Sequence, residues 1–156
     1  MNTLEILVGP IACGKSTYSR ERAAGGALVV NDDSIVMSVH GGNYDKYDPK
    51  LKPLYIQIET VIITAASASW RDVIIDRGCR SRACRNRFAT LGNSLGFWVK
   101  VVTFPWEAAE VHAKRRFEKD ARGLTYEKWL QIAEAHQQTF QPVLGSETYD
   151  QLKEMS

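Results

Sequence analysis

Short apolar runs alternate along the chain with longer segments that repeat apolar residues at helical spacing. Predicted strands cover residues 4–8, 27–30, 73–75 and 98–104. Predicted helices cover residues 16–24, 34–40, 54–69, 107–119 and 126–138, and a basic segment at 77–87 leads into another helix that ends near residue 91. Because strands that alternate with helices form parallel βαβ units, the pattern predicts a three-layer α/β domain. Its parallel sheet has about four strands, with helices on both faces.

Three parts of the pattern carry further expectations. The predicted core-facing side of the helix at 54–69 consists of Leu54, Ile58, Val61, Ile62 and Ala65. The stretch from residue 41 to 53 is rich in Gly, Asn, Asp, Tyr and Pro and predicts a long loop that is functional or mobile. The tail after Pro142 is polar and predicts a short helix or a frayed terminus.

Composition narrows the class of protein. The 156 residues suit one domain with one core, and neither a linker nor a repeat divides residues 1–156. We expect no membrane span and no secretory leader, because no apolar stretch is long enough for either role. Three cysteines without CxxC spacing argue against a disulfide framework or a structural zinc site and favour a reducing, cytoplasmic setting. A net charge of +2 does not by itself indicate a nucleic-acid partner.

Residues 9–17 read Gly-Pro-Ile-Ala-Cys-Gly-Lys-Ser-Thr, a full match to the phosphate-loop pattern GxxxxGK[ST]. The motif lies between a predicted strand and a predicted helix, so its backbone N–H groups and the helix dipole can face an anion. Lys15 is predicted to reach the β- and γ-phosphates of ATP, and the Ser16 hydroxyl to bind Mg²⁺. The predicted ATP contacts in this loop are Gly9, Ala12, Cys13, Gly14, Lys15, Ser16 and Thr17.

Acidic residues follow two of the predicted strands. In open α/β sheets ligands bind beyond the carboxyl ends of the strands, so Asp32 is positioned to accept the proton of an attacking hydroxyl as a general base. Asp33 is the alternative base or a substrate contact, and it is also a candidate N-cap of the next helix. Asp76 ends an apolar run in the manner of a Walker B acid that holds magnesium. The alternative for Asp76 is an ion pair with Arg77.

Five arginines fall within the eleven residues from Arg77 to Arg87, with no acidic residue between them. This segment begins at the end of a predicted site strand, where an anionic acceptor would dock. A phosphate-binding surface is one interpretation, and a solvated helix face is the other. Arg77, Arg80 and Arg82 lie nearest the strand end and are the predicted acceptor contacts.

A second basic segment predicts a helical lid over about residues 112–126. Arg115, Arg116 and Arg122 are candidates for contacting ATP or neutralising charge in the transition state, with Gly123 as a hinge. The alternative is a surface helix whose neighbouring acids balance these bases. In the loop at 41–53, Tyr44 offers an aromatic face suited to a nucleic-acid base.

In the order and spacing of these motifs, residues 1 to about 130 resemble the small P-loop kinases typified by phage and bacterial polynucleotide 5′-hydroxyl kinases. Three local features carry the resemblance: the phosphate loop, the Asn-Asp-Asp at 31–33, and the Val-Ile-Ile-Asp at 73–76 with its arginines. A fourth is the Val-Val-Thr-Phe-Pro-Trp at 101–106, which a basic helix and an Arg-Gly pair follow.

The resemblance implies a P-loop NTPase fold with ATP and magnesium held at Lys15 and Ser16, Asp32 as general base, and a lid arginine among residues 115, 116 and 122. It also implies a nucleic-acid acceptor, for which DNA is favoured over RNA. The expected location is the cytoplasm (the host cytoplasm if a phage encodes the protein). The sequence departs from the family where an arginine should grip the acceptor phosphate, because residues 34–37 read Ser-Ile-Val-Met. Either this grip is missing or it has moved, with Arg80 and Arg82 as the candidates.

Three functions stay open on these grounds. The favoured one is an ATP-dependent kinase that phosphorylates a nucleic acid, either at a 5′-hydroxyl or at the hydroxymethyl group of a modified pyrimidine in DNA. The second is a small-molecule kinase of the gluconate, nucleoside or antibiotic type. The third is a regulatory module without catalytic activity, in which ATP orders a lid.

Overall fold

The computed structural model describes residues 1–156 as five strands and six α-helices. The strands are β1 (Thr3–Val8), β2 (Leu28–Val30), β3 (Val73–Ile75), β4 (Trp98–Thr103) and β5 (Gln151–Glu154). The helices are α1 (Lys15–Ala24), α2 (Asp32–Val39), α3 (Lys52–Ala68), α4 (Arg82–Ser94), α5 (Ala109–Glu118) and α6 (Tyr126–Thr139). Two short 3₁₀ turns, Tyr44–Lys46 and Pro49–Leu51, lie in the loop between α2 and α3. None of the helices combines the length and apolar character that a membrane crossing needs.

All five strands are parallel and lie in the order β2-β3-β1-β4-β5. Val30 at the end of β2 aligns with Ile75 at the end of β3, and Ile75 aligns with Ile6 of β1. The three chain segments that follow β1, β2 and β3 therefore leave the same edge of the sheet. This edge carries the phosphate loop and the predicted acidic residues.

Helices cover both faces of the sheet, which confirms the predicted three-layer α/β fold. Alternate residues of β1 serve the two faces, as the two-residue period of a strand requires. Leu4, Ile6 and Val8 belong to the larger core cluster on one face, and Leu7 belongs to a second cluster with Tyr18 of α1 on the other. A third cluster joins α5 to α6, and Ile11 of the phosphate loop packs against it.

The tail after Pro142 forms a strand, so the prediction of a short helix or a frayed end was wrong. β5 adds a fifth strand at the β4 edge, where Val101 aligns with Leu152. The Val99 N–H donates to the Asp150 carboxylate at 2.7 Å, and the Asp150 N–H donates to the Val99 carbonyl at 2.8 Å. β5 is an edge strand, which pairs with one neighbour only, and most of its side chains are exposed. Its sequence therefore lacks the pattern of apolar residues that marks an inner strand.

The buried face of α3 differs in part from the predicted one. Ile58 and Ile62 pack against the core as predicted, but Val61 is 67% exposed and Leu54 is 39% exposed. The fully buried side chains of α3 are Tyr55, Glu59, Ile63 and Ala66. Most positions of this helix are apolar on all sides, so spacing alone did not identify the face. The buried Glu59 decides it, because its carboxylate pairs with Arg77 of the loop after β3 and with Arg87 of α4.

Candidate functional site

The phosphate loop joins the end of β1 to the first turn of α1, and its glycines are required by close packing and backbone conformation. A Cβ at Gly9 would lie 2.6 Å from the Cys13 Sγ, and Gly14 has a left-handed φ of 105°. Gly14 caps α1 without a side-chain hydrogen bond, and the first turn of α1 contains no acidic residue. The first N–H groups of α1 therefore face solvent as donors for an anion, with the Ser16 and Thr17 side chains exposed beside them.

The Lys15 side chain folds back along this loop. Its Nζ donates to the Gly9 carbonyl at 3.0 Å and to the Pro10 carbonyl, and lies 3.4 Å from the Cys13 Sγ. Two carbonyl oxygens thus hold the ammonium at the loop, next to the N-terminus of α1. The flexible four-carbon chain lets the ammonium exchange these carbonyls for phosphate oxygens when a nucleotide binds.

Asp76 and Ser16 present the oxygen donors that suit magnesium. Asp76 is buried at the end of β3, and the Asn31 side chain donates to its backbone carbonyl at 3.0 Å. Burial raises the pKa of Asp76, and the Ser19 hydroxyl and the Lys15 ammonium oppose this shift. The protein has no cluster of three acidic, histidine or cysteine ligands for a metal ion. A carboxylate and a hydroxyl fit Mg²⁺, which is usually bound by one or two carboxylates, substrate phosphates and water.

Asp32 and Asp33 occupy the first turn of α2, just after β2. Asn31 is the N-cap of this helix, since its side-chain oxygen accepts the Ser34 N–H at 2.9 Å. The alternative prediction of Asp33 as the N-cap was therefore wrong, and both carboxylates are available to the site. Asp32 lies 3.3 Å from the Arg77 guanidinium. Burial raises the pKa of Asp32, and the positive charge of Arg77 partly offsets this shift.

A buried carboxylate that the sequence reasoning missed fixes Arg77 in place. Glu59 of α3 accepts a hydrogen bond from Arg77 at 2.6 Å and pairs with Arg87 of α4. The same Arg77 guanidinium thus bridges Glu59, which is buried, and Asp32, which opens to the site. The sequence did contain one signal for Glu59: it is the single acidic residue of a mostly apolar helix. An acid that is buried on such a helix needs a charged partner.

The turn between α5 and α6 brings Arg122 to the acidic pair. Its guanidinium lies 3.1 Å from the Asp33 carboxylate and 4.8 Å from the centre of the Tyr44 ring. Asp120 shapes this turn by accepting the Arg122 N–H at 2.8 Å, and Gly123 takes a left-handed φ of 72°. The predicted lid segment and the predicted aromatic contact therefore meet at Asp33.

The other two predicted lid arginines lie elsewhere. Arg115 pairs with Glu107, with one oxygen at 3.1 Å, and lines a cleft of about 630 Å³ beside the phosphate loop. Arg116 packs its guanidinium over the Trp129 ring, 4.8 Å from the ring centre, so a catalytic role would require it to leave this contact. The remaining residues of the cleft are Cys13, Gly14, Thr17, Tyr18, Glu21, Phe104, Pro105, Glu107, Met155 and Ser156.

The run of five arginines does not form one anion-binding surface. Arg85 is 1% exposed and makes two hydrogen bonds of 2.7 Å to the Glu147 carboxylate, so it is a structural residue. Arg87 is held by Glu59. The acids that balance these arginines come from α3 and from the segment after α6, which is why the run itself contains none.

Arg80 and Arg82 remain as candidates for an acceptor contact. They belong to the arginine loop, which we define as residues 77–82, the segment after Asp76 that ends at the first residue of α4. Arg80 is partly buried and donates to the Thr139 hydroxyl at 3.2 Å. Arg82 is half exposed, with its Nε 3.9 Å from the Glu147 carboxylate. Neither side chain contacts Asp32 directly, and both lie on the side of the arginine loop that faces the end of α6.

One histidine of α5 and one of α6 also belong to this region, and no sequence pattern indicated either of them. His112 of α5 is buried and accepts the Glu107 N–H at 3.0 Å. Burial lowers the pKa of His136 in α6 to about 4, and the charges of Arg80 and Lys15 add to the shift. His136 is therefore neutral near pH 7, and its buried Nδ1 has no hydrogen-bond partner within the protein.

The sequence from residue 4 to residue 141 matches the AAA domain family. This match spans most of the chain and includes the phosphate loop, both acidic segments and the lid. The chain belongs to the AAA domain family. A search of curated protein sequences found no significant match.

Solved structures share the fold of this AAA domain at low sequence identity. A protein of Chloroflexus aurantiacus J-10-fl, provisionally described as a kinase, has a TM-score of 0.72 and 17% identity over 99% of this chain and 84% of its own. A chain of the Pnkp1/Rnl/Hen1 complex has a TM-score of 0.64 and 21% identity over 81% of this chain and 42% of its own. A gluconokinase of Sinorhizobium meliloti 1021 has a TM-score of 0.57 and 16% identity over 98% of this chain and 81% of its own.

These comparisons confirm the predicted resemblance to small P-loop kinases and the P-loop NTPase fold. The fold is a nucleotide-binding one, and the AAA domain carries a complete phosphate loop. At these identities the structural likeness concerns the fold alone. The acceptor therefore has to be argued from the side chains around Asp32.

Proposed function

We propose that this AAA domain is an ATP-dependent kinase that transfers the γ-phosphate to a hydroxyl of a nucleic acid, with Asp32 as general base. The contact between Asp32 and Arg77 is the observation that carries the proposal. It places a carboxylate and a cation 3.3 Å apart at the sheet edge that holds the phosphate loop. A burial-raised pKa brings the Asp32 carboxylate closer to the strength that a general base needs near neutral pH.

In the proposed reaction, Asp32 accepts the proton of the acceptor hydroxyl while that oxygen attacks the γ-phosphorus. The bond between the γ-phosphorus and the β–γ bridging oxygen breaks, and ADP leaves with the bridging oxygen. Lys15 binds β- and γ-phosphate oxygens, and Arg122 approaches the transferred group from the lid. Asp76 and Ser16 would hold magnesium, which neutralises phosphate charge when bound.

The acceptor side of the site supports a nucleic acid as the substrate class. Arg77 lies beside Asp32, and Arg80 and Arg82 follow it within five residues on the side that faces the end of α6. Guanidiniums favour phosphodiester oxygens. Tyr44 adds an aromatic face next to Asp33. We propose DNA as the acceptor, at a 5′-hydroxyl or at a base-borne hydroxymethyl group.

A small-molecule kinase is the second candidate, and one observation favours it. Arg77 already pairs with Asp32 and Glu59, which leaves fewer of its donors for an acceptor phosphate. The likeness to a gluconokinase agrees with this alternative. A module that only binds ATP is the third candidate, and the Asp32 carboxylate paired with Arg77 at the phosphate-loop edge of the sheet counts against it.

Transfer of labelled γ-phosphate from ATP to a panel of acceptors tests the proposal. The panel contains a 5′-hydroxyl oligodeoxynucleotide, its 5′-phosphorylated counterpart, hydroxymethylated DNA, nucleosides and gluconate. We expect label on the 5′-hydroxyl or hydroxymethylated DNA and none on the small molecules. Label on gluconate or a nucleoside alone would replace the nucleic-acid acceptor with the second candidate.

The salt dependence of acceptor binding tests the arginine loop. Replacing Arg80 and Arg82 together with alanine removes two predicted phosphate contacts. The slope of log affinity against log salt should then fall by about 1.4 for single strands or about 1.8 for duplex. Arg71→Ala is the matched control, because Arg71 is exposed beside the opposite edge of the sheet, next to Gly26. Equal slopes in the double variant and the control would remove both arginines from the acceptor site.

A further inference from the structure

Two cysteines that the proposed reaction does not use meet where the arginine loop joins α4. The Sγ atoms of Cys79 and Cys84 are 2.7 Å apart, so the two thiols are in direct contact. Cys79 lies between Arg77 and Arg80, and Cys84 lies in the first turn of α4. The third cysteine, Cys13, belongs to the phosphate loop and does not take part in this contact.

The two thiols have different environments. Cys84 is partly exposed, and the hydrogen bond from Cys79 lowers its pKa, with further help from the guanidiniums of Arg77 and Arg87. The Cys84 N–H is held by the Ser81 hydroxyl at the N-terminus of α4. Cys79 is buried, and burial raises its pKa. One thiol thus combines a lowered pKa with access to solvent, and the other is a buried thiol in direct contact with it, which is the arrangement of attacking and resolving cysteines.

The backbone around Cys79 is fixed, so this contact does not depend on a mobile loop. Arg85 donates to the Cys79 carbonyl and to the Arg80 carbonyl, each at 3.1 Å. Cys79 itself has a left-handed φ of 31°, which is uncommon for a residue with a Cβ and needs support from its surroundings. The Arg85 hydrogen bonds supply that support and hold Cys79 against α4.

We propose that Cys79 and Cys84 form a reversible thiol oxidation site that takes peroxide as its oxidant. The Cys84 thiolate attacks one oxygen of hydrogen peroxide, the O–O bond breaks, and hydroxide leaves a Cys84 sulfenic acid. The Cys79 thiol then attacks that sulfur, an S–S bond forms, and the sulfenic oxygen leaves as water. The two sulfurs lose two electrons to the two peroxide oxygens, and a dithiol reductant reverses the step.

The position of the site gives the oxidation a defined target. A bond between Cys79 and Cys84 ties the middle of the arginine loop to α4 and restricts the segment that carries Arg77 and Arg80. The expected effect rests on the proposed function: oxidation raises the KM for the nucleic-acid acceptor. It leaves the KM for ATP unchanged, because Lys15 and the phosphate loop follow β1, whereas the arginine loop follows β3. Dithiothreitol restores the original KM.

Intact-mass and peptide measurements test the site without requiring kinase activity. The full chain is treated with hydrogen peroxide, denatured, alkylated and digested with trypsin, which cuts after the surrounding arginines. We expect residues 78–80 and 83–85 as one disulfide-linked pair of peptides, two hydrogen atoms lighter than the separate peptides, and its disappearance after dithiothreitol. Recovery of both alkylated peptides after peroxide would overturn the proposal, as would a Cys84 sulfinic acid beside an alkylated Cys79.

Two double variants provide the matched controls, in which Cys13→Ser is combined with Cys79→Ser or with Cys84→Ser so that one thiol remains. With Cys79→Ser, Cys84 should oxidise past the sulfenic acid, because its resolving partner is missing. With Cys84→Ser, Cys79 should stay reduced at the same peroxide concentration. Faster oxidation of Cys79 than of Cys84 would reverse the assigned roles and overturn the mechanism. A disulfide that forms but leaves the acceptor KM unchanged would overturn the proposed effect on the arginine loop. The peptide measurement does not depend on kinase activity, so it tests the oxidation site even if the proposed function is wrong.

Discussion

Replacing Arg85 with methionine tests whether the arginines after β3 divide into structural and acceptor-facing residues. Arg85 is 1% exposed and donates five hydrogen bonds. Two reach the Glu147 carboxylate, and the others reach the backbone carbonyls of Cys79, Arg80 and Pro142. Methionine keeps much of the length of the side chain, but the Glu147 carboxylate, which is 4% exposed, loses its partner.

Breaking a buried ion pair in this way costs about 3–5 kcal/mol of unfolding free energy. For a domain of this size, about 2–4 °C of Tm is lost per kcal/mol, so Tm should fall by about 6–20 °C. Arg82→Met is the control, because Arg82 is 49% exposed and its Nε lies 3.9 Å from the same carboxylate. That variant should lose about 1 kcal/mol or less.

The pH dependence of the unfolding free energy is a second test of the ion pair between Arg85 and Glu147. Burial acts to raise the pKa of Glu147, but hydrogen bonds from Arg85 and from the Leu144 N–H outweigh it, so the pKa is lowered. A lowered carboxyl pKa stabilises the fold above the ordinary value for glutamate, and this stability is lost as pH falls through the lowered pKa. Thermal and urea unfolding of the wild type should show this loss, and Arg85→Met should not. Equal unfolding free energies for Arg85→Met and Arg82→Met at neutral pH would refute the structural role of Arg85.

Three further predictions concern the site itself. Lys15→Met should abolish phosphoryl transfer and weaken ATP binding in a nucleotide titration while leaving the Tm nearly unchanged; normal turnover would contradict the phosphate-loop assignment. Arg77→Met should move the acid limb of the kcat–pH profile to higher pH, because Arg77 lowers the pKa of Asp32 and an active base must be unprotonated; an unmoved limb would separate Arg77 from the base. Arg122→Ala should lower kcat by about 10²-fold or more through loss of a transition-state cation, and single-turnover kinetics that match the wild type would return Arg122 to a surface role.

The phosphate loop and the acids after β2 and β3 could be predicted because their signals are local. Residues 9–17 specify a turn and a helix start within nine positions, and parallel strands bring Asp32 and Asp76 to one edge of the sheet. Arg122 was predicted only as part of a lid. Its contact with Asp33 could not be predicted, because it depends on a turn that the Asp120 side chain shapes.

The structural ion pairs could not be predicted, because their partners are distant in sequence. Arg85 and Glu147 are separated by 62 residues, and Arg77 meets Glu59 across 18 residues. Without these partners, a run of five arginines is indistinguishable from an anion-binding surface. The same limit explains the wrong face of α3, because Glu59 selects the buried side through arginines that lie on other elements.

The rates of γ-phosphate transfer by Asp32→Asn and Asp33→Asn test the central claim most directly. Both carboxylates lie in the first turn of α2, so the two variants are matched in position and chemistry. Labelled ATP and a 5′-hydroxyl oligodeoxynucleotide serve as substrates, and ATP affinity is measured in parallel. We predict that Asp32→Asn binds ATP like the wild type but loses about 10²- to 10⁴-fold in kcat, while Asp33→Asn loses much less. Full activity in Asp32→Asn would contradict the assignment of Asp32 as the general base.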